Sequence, residues 1–459
     1  MTDTATSFLR NASDKVFDIA HRQKVNFNIA RYDEAVKKGK DQFSDLAAAR
    51  KIAKNRKWKA IENLGYYLQN FEARFRENGG QVIWAQDSQE AADAIRKIVK
   101  RKKAERIVKS KSMVSEEIHL NSCLAKDGYS VYETDLGEYI VQLAGEDPYH
   151  IVTPAMHKSK EDVAELFHDK LGTEQNATPT ELAGKTRQIM RNQFRHADVG
   201  ITGANFVVSD IGGIALTENE GNARLSCSTP SVHIALTGIE KVLPSMDDLA
   251  TYWPLLATFG TGQEVTNYNS IVTGPVKEGE PDGPEEMIVV LLDNGRTNLL
   301  AQPDQRESLY CIRCGACLNA CPIYKNVGGH AYETTYSGPI GSVITPHLKG
   351  MKEYQHLSQA SSLCGNCSEV CPVNINLHKL LLYNRRDSVQ QRARPRSEQF
   401  GFWLWKKGML SRSLMNAGNS KMKNLVFQTL FSNSWGKNRA MLNFPEKSFN
   451  QMWREGKKN

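Results

Sequence analysis

Seven of the nine cysteines in this 459-residue chain fall between Cys311 and Cys371. The first four read Cys311-Ile-Arg-Cys314-Gly-Ala-Cys317-Leu-Asn-Ala-Cys321-Pro322. Three thiolates at that spacing can wrap one face of an iron–sulfur cube, while the fourth, followed by proline, points away and ligates a second cluster. Structural zinc and unliganded thiols rarely place four cysteines with this terminal Cys-Pro.

A second motif, Cys364-Gly-Asn-Cys367-Ser-Glu-Val-Cys371-Pro372, matches the last three cysteines of the first, and Ser361 stands where its missing cysteine would sit. Cross-ligation assigns Cys311, Cys314, Cys317 and Cys371 to cluster 1, and Cys321, Cys364 and Cys367 to cluster 2. Cluster 2 is then one cysteine short. Ser361 or another oxygen or nitrogen ligand completes a [4Fe-4S] cube, or one iron stays open, or the site holds [3Fe-4S]; two [4Fe-4S] clusters are the favoured reading. His330, between the motifs, could tune a cluster through a hydrogen bond to sulfur, but a loop histidine with an ordinary partner explains it as well.

The elements that must carry these motifs change character along the chain. Up to about residue 300, short β-rich runs alternate with amphipathic helical stretches, which predicts a largely parallel sheet covered on both faces. Strands are expected at Val82–Trp84, Arg106–Val108, Ser130–Glu133, Tyr139–Leu143, His150–Thr153, Asp198–Thr202, Ile214–Thr217, Val232–Gly238 and Met287–Leu292. Helices are expected at Asp33–Asn78, at Asp87–Lys103 with Asp87 or Ser88 as cap, at Lys158–Leu171 and at Pro179–His196.

Past Leu300 the β-like runs vanish, and a polar stretch with Pro303 leads into the cysteine motifs. The expected organisation is an α/β domain over residues 1–300, a mainly helical two-cluster ferredoxin-type domain over 301–384, and a basic helical tail over 385–459. From Asn384 to Asn459 there are 16 Lys or Arg against 4 Asp or Glu, so this tail holds more than the whole net charge of +8.

The remaining composition excludes other classes. With 40% hydrophobic and 24% charged residues the chain is neither disordered nor fibrous. No apolar run approaches the roughly 20 residues of a spanning helix, and the N-terminus lacks the pattern of a secretory signal, so a cytoplasmic protein is expected. Clustered cysteines in such a chain argue for metal rather than disulfides.

Beyond these residues, the sequence resembles the lactate utilization protein B family, iron–sulfur subunits of a bacterial L-lactate oxidation system. The resemblance runs over nearly the whole chain. It rests on Glu133-Thr-Asp-Leu-Gly-Glu-Tyr-Ile-Val-Gln-Leu143, Gly203-Ala-Asn-Phe206, Glu218-Asn-Glu-Gly-Asn-Ala-Arg-Leu225, Val232-His-Ile-Ala235, both cysteine motifs and the basic tail. It implies an N-terminal LUD domain similar to CoA transferases and ribose phosphate isomerase, and a role with two companion subunits in converting L-lactate to pyruvate, as the electron carrier. The direct electron donor and acceptor are not implied.

Several other features of the sequence have plainer readings beside a functional one. Glu218 or Glu220 could serve as a general base beside a small acid, as the α/β domain of an enzyme would require, but a solvated loop with a capping role is the favoured reading, since no partner acid or base is identifiable. Asp210-Ile-Gly-Gly213 is a tight turn and no dinucleotide or Walker loop. Lys100–Lys103 ends a helix, where the dipole favours cations. The tail, with Trp403, Trp405, Trp435 and Trp453, suits docking to a partner or peripheral contact with a membrane better than nucleic acid, for which no reading module is present. Electron carrier, enzyme in its own right, and scaffold with structural clusters are the competing functions.

Overall fold

All seven residues of Val232–Gly238 are buried, although His233 and Thr237 are polar. Such a run belongs in the middle of a parallel sheet covered on both faces. The computed structural model of the chain describes residues 3–430, 435 and 440–456, and it places this run there. The strands are β1 (Gln81–Ala85), β2 (Arg106–Lys109), β3 (Ser130–Glu133), β4 (Val199–Thr202), β5 (Phe206–Val208), β6 (Gly213–Glu218), β7 (Val232–Gly238), β8 (Val242–Leu243), β9 (Tyr268–Val272) and β10 (Glu286–Leu292).

Six of them form a wholly parallel sheet in the order β1-β10-β7-β4-β2-β3. Alternation of side chains sorts its central strands into two cores. Ile234, Leu236, Ile288, Val290 and Leu292 face one side, where the helix Ser88–Arg101 lays down Ala91, Ile95, Ile98 and Val99. Ala235, Met287, Val289 and Leu291 face the other, in a core shared with the cysteine-bearing segment.

The remaining strands make a second, mixed sheet, β8-β5-β6-β9, in which β6 runs antiparallel to both β5 and β9. The alternation of strands and helices predicted the parallel sheet but not this one. β5 has three residues and β8 two, too short for a period to declare itself.

Two expected strands differ. Leu136–Ala144 is a helix, capped by Asp135, whose side chain accepts from the Glu138 N–H, and closed by Gly145 in the left-handed region. A short run with Tyr139, Ile140, Val141 and Leu143 satisfies either period, and the two caps decide for helix. His150–Thr153 has no regular structure. The polar helical stretch at Asp33–Asn78 resolves into the later part of Ile19–Gly39, then Leu46–Glu62 and Leu64–Glu77.

No strand occurs among the described residues after Leu292. The cysteine segment is helical, with Pro322–Val327, Gly338–Leu348 and Leu377–Gln390 as its longer pieces. Met1–Ala393 forms one compact unit and Arg394–Asn459 another. The second contains the helices Arg396–Met409, Arg412–Asn416, Ser420–Leu430 and Phe449–Gly456, and in it Phe400, Phe402, Trp403, Leu404 and Trp405 are exposed.

Candidate metal centre

Each cysteine motif folds around the same backbone device. Gly315 and Gly365 take φ of 78° and 86°, and each is followed by a single helical turn, Ala316–Asn319 or Asn366–Glu369. The Leu318 N–H reaches the Gly315 carbonyl at 2.9 Å, and the Ser368 N–H reaches that of Gly365 at 2.9 Å. The Cys321 and Cys371 N–H groups close the turns on Leu318 and Ser368 at 3.1 and 3.3 Å. A left-handed glycine between two cysteines is what lets Cys-Gly-x-Cys double back with both sulfurs on one side.

The likeness extends upstream. Arg313 and Leu363, each one residue before the shared Cys-Gly step, are both left-handed, with φ of 62° and 55°. Such a conformation costs a side-chain-bearing residue on the order of 1 kcal/mol or more, so its occurrence at both equivalent places marks one template used twice. The Arg313 N–H donates to Cys311 Sγ at 3.4 Å, and the Leu363 N–H donates to Ser361 Oγ at 3.1 Å. Ser361 therefore takes the place of Cys311 in the second copy, in hydrogen bonding as well as in spacing.

The sulfurs gather in two sets. Cys311, Cys314, Cys317 and Cys371 line one cavity together with Ile151, Ile312, Ile340 and Val373. Burial and the neighbouring thiols push Cys314 and Cys317 up, and burial takes Cys371 to about 12. Cys321, Cys364 and Cys367 act on one another in the same way, with Cys367 pushed up to about 11, mainly by burial. Cys364 is exposed and is pulled down by the N–H of Asn366. Thiols crowded and desolvated in this manner are poor acids until a metal takes the proton's place. All nine cysteines are free of disulfides.

The charge around the first set supplies a test of fit. Lys57, Lys241, Arg296 and Arg313 are buried or nearly so, against the buried carboxylates Glu117 and Glu240. Arg296 binds Glu240 at 2.6 Å and Glu117 at 2.8 Å, Tyr336 donates to Glu117 at 2.6 Å, and Arg313 reaches Glu240 at 3.3 Å. Four basic groups face two carboxylates, burial pushes Lys57 down to about 7 and Lys241 down to about 8, and Cys311 is among the groups that hold Lys57, Lys241 and Arg313 in their charged forms. An excess of buried positive charge is costly without an anion, and four thiolates holding iron and sulfide provide one. The residues present fit the group.

The N-terminal helices close the centre. Arg50 donates to the carbonyls of Cys371 and Glu369 at 2.8 and 2.7 Å, and Lys54 bonds to Glu307 and to the Asn374 carbonyl. Sequence reasoning missed Arg50, Lys57, Lys241, Glu240 and Arg296, because a lone charge in a helix or after a strand reads as surface. The one available signal was composition: Glu240-Lys241 directly follows an apolar strand. His330 lies away from the sulfurs, with Nε2 2.7 Å from the Asp147 carbonyl oxygen. Glu218 accepts from the N–H groups of Ala223 and Arg224 and Glu220 from that of Leu136, the capping roles of a turn.

Known proteins resemble this chain along most of its length. A family model described as the LUD domain matches residues 68–292, and one described as a 4Fe-4S dicluster domain matches residues 307–375. Lactate utilization protein B of Bacillus licheniformis is 45% identical over 385 residues, 82% of this chain and 80% of that protein. The protein of that name from Bacillus subtilis is 43% identical over 385 residues, with 82% and 80% covered. That of Anoxybacillus flavithermus is 44% identical, with 82% and 81% covered. Among solved structures, a DUF162 family protein from Deinococcus radiodurans matches 50% of this chain and 98% of its own, at 14% identity and a TM-score of 0.29, a likeness too slight to carry an argument.

Proposed function

We propose that this chain, which belongs to the lactate utilization protein B family, is an iron–sulfur electron-transfer subunit in the oxidation of L-lactate to pyruvate. One observation carries the reading: two copies of a single cysteine-bearing template lie side by side in one compact unit, with helix Ala316–Asn319 packed on helix Asn366–Glu369. A pair of neighbouring metal centres suits the relay of electrons better than a single structural site would.

In this reading Cys311, Cys314, Cys317 and Cys371 hold one [4Fe-4S] cluster, and Cys321, Cys364 and Cys367 hold the second, with Ser361 Oγ at its fourth position. Such clusters supply one-electron redox chemistry when bound. The chain's own groups set the conditions. Ile151, Ile312, Ile340 and Val373 exclude water from the first set. Lys57, Lys241 and Arg313 offset its negative charge and so favour the reduced state. The Arg313 and Ile375 N–H groups donate to Cys311 and Cys371 Sγ at 3.4 and 3.3 Å, which acts in the same direction.

The module boundaries that follow are an α/β domain to residue 300, the two-cluster domain to 384 and the basic tail beyond. The exposed aromatic face of Arg396–Met409 with Lys406 and Lys407 suits docking to a companion subunit or to a membrane-bound acceptor. No helix among the described residues is long and apolar enough to cross a membrane, and a cytoplasmic site of action is part of the proposal.

The test is reduction of the anaerobically prepared chain, followed by EPR. L-lactate together with the companion subunits should give two interacting paramagnets, while L-lactate with the chain alone should give none. Turnover of lactate by the purified chain by itself would replace the carrier reading with an enzymatic one, and clusters that no lactate-dependent partner reduces would leave a structural role.

A further inference from the structure

The parallel sheet has one place where its connections diverge. From β2 the chain moves outward to β3, and from its neighbour β4 it moves the other way, to β7. In open α/β sheets ligands bind beyond the carboxyl ends of the strands at such a point. A cavity of about 400 Å³ lies there. Ser110–Ser112, after β2, and Gly203–Asn205, after β4, line it, and Leu216–Glu218 of the second sheet also contribute.

Two features of this cavity are unexplained by the cluster centres alone. Lys241 lines it and is 7% exposed, yet its ammonium makes no hydrogen bond or ion pair with any described residue. Its charged neighbours are Arg313, Glu240, Cys311 and Arg296, and both carboxylate oxygens of Glu240 are already engaged, by Arg296 and Arg313. The lining also includes Asp135 and Glu220, each of which spends a carboxylate oxygen on a backbone N–H, of Glu138 and of Leu136. Although its charge also acts on Cys311, Lys241 has no direct partner, so its ammonium can seat an anion in the cavity, and carboxylates in the same cavity oppose one of high charge while offering to accept from a hydroxyl.

The cavity also has an address. Ile151, Ile312 and Arg313 line it and equally line the cavity among Cys311, Cys314, Cys317 and Cys371. One layer of side chains separates the two.

We infer that this cavity binds a small monocarboxylate carrying a hydroxyl or oxo group beside the carboxylate, with the carboxylate on Lys241, one side chain away from the first cysteine set. The anion site rests on the geometry, and the choice of a 2-hydroxy or 2-oxo acid rests on the lactate reading above. No chemical step is assigned to it. A bound acid there would sense the charge of the metal centre, and the centre would sense the acid.

The test uses the full iron-loaded chain under anaerobic conditions, titrated calorimetrically with L-lactate, pyruvate and inorganic phosphate. One of the two acids should give saturable heat at a single site, and phosphate none. Lys241→Met should weaken that binding on the order of tenfold to a hundredfold, the usual worth of a charged hydrogen bond, with Lys241→Arg restoring much of it. Ala204→Leu, which fills the cavity without touching a charge, should abolish binding at unchanged iron content. It keeps the test open should Lys241→Met fail to hold iron. Saturable binding of neither acid by iron-replete protein overturns the proposal. So does binding unchanged in both Lys241→Met and Ala204→Leu, which would leave Lys241 a counter-charge for the metal centre alone. Either outcome leaves the electron-carrier reading standing, because that is judged by reduction through partners.

Discussion

Around the first cysteine set the walls are Ile151, Ile312, Ile340 and Val373, and buried cations stand just behind them. Around the second, Cys364 is exposed, and the neighbouring groove is lined by Arg50, Lys54, Asn366, Ser368 and His378. The backbone template is the same in both, down to the left-handed residue ahead of Cys-Gly. On the two-cluster reading proposed above, local sequence therefore sets the ligand geometry, whereas the potential and the lability of each centre would be set by what the rest of the fold brings up to it.

The sharpest way to break this comparison is to remove a ligand from each side. Cys371→Ala should cost about half of the bound iron, and because Cys371 lies inside the main hydrophobic core it should also lower the thermal midpoint. Cys364→Ala should cost a similar share of iron with little change in that midpoint, since its side chain supports nothing else. Iron quantitation beside calorimetric melting checks both, and equal losses of stability would erase the distinction between enclosed and open centres.

The buried charges come next. Glu240→Ala takes Arg296 off one of its two carboxylates and Arg313 off the carboxylate it reaches while leaving both buried, and breaking such a pair costs about 3–5 kcal/mol. Denaturant unfolding should show that loss. Reconstitution should fill the second set before the first, because Arg313 sits between Cys311 and Cys314 and its position depends on Glu240.

A smaller effect is expected where the two copies of the template differ. Ser361→Cys supplies the thiolate that the second copy lacks, and ferricyanide should then convert fewer molecules to the [3Fe-4S] form, read as its EPR signal. Ser361→Ala should convert faster than wild type, by a severalfold factor at most. Conversion at the same rate in all three proteins would mean that the serine oxygen is not at the fourth position.

How far these features were legible in the sequence follows from the range of the interactions. The cysteine motifs declare themselves because ligand spacing is local, and all six strands of the parallel sheet announce enough apolar character to be found, at Val82–Trp84, Arg106–Val108, Ser130–Glu133, Asp198–Thr202, Val232–Gly238 and Met287–Leu292, as does one strand of the second sheet, at Ile214–Thr217. Tyr139–Leu143 reads as a strand because so short a run, with Tyr139, Ile140, Val141 and Leu143, fits both periods, and the caps Asp135 and Gly145 of the helix Leu136–Ala144 carry the answer. Arg50 on the carbonyl of Cys371 spans 321 residues, and no pattern in the chain announces such a pairing. The same holds for Tyr336 on Glu117 and Arg296 on Glu240, so the part of the site that sets its electrostatics could only be seen folded.

The weakest expected effect concerns His150, beside the enclosed set. Its Nδ1 accepts from the N–H groups of Val152 and Thr153 at 3.1 and 3.2 Å, which requires the neutral ring, and burial holds it down to about 3 from an ordinary 6.5. The folded chain thus refuses a proton that the unfolded chain accepts once the pH drops below 6.5, so stability falls with acidification across the window from 6.5 to about 3 and is untouched above it. For this one residue the loss between neutral pH and pH ~5.5 comes to about 1 kcal/mol. His150→Asn keeps an acceptor for the two N–H groups and does not titrate, so the variant should unfold at nearly the same denaturant midpoint at both pH values once the wild-type slope from other histidines is subtracted. The comparison of variant and wild type isolates the contribution of His150: a slope no shallower in the variant would show that the enclosed centre tolerates a proton at its edge, and that its apolar wall is less complete than that of the folded chain described above.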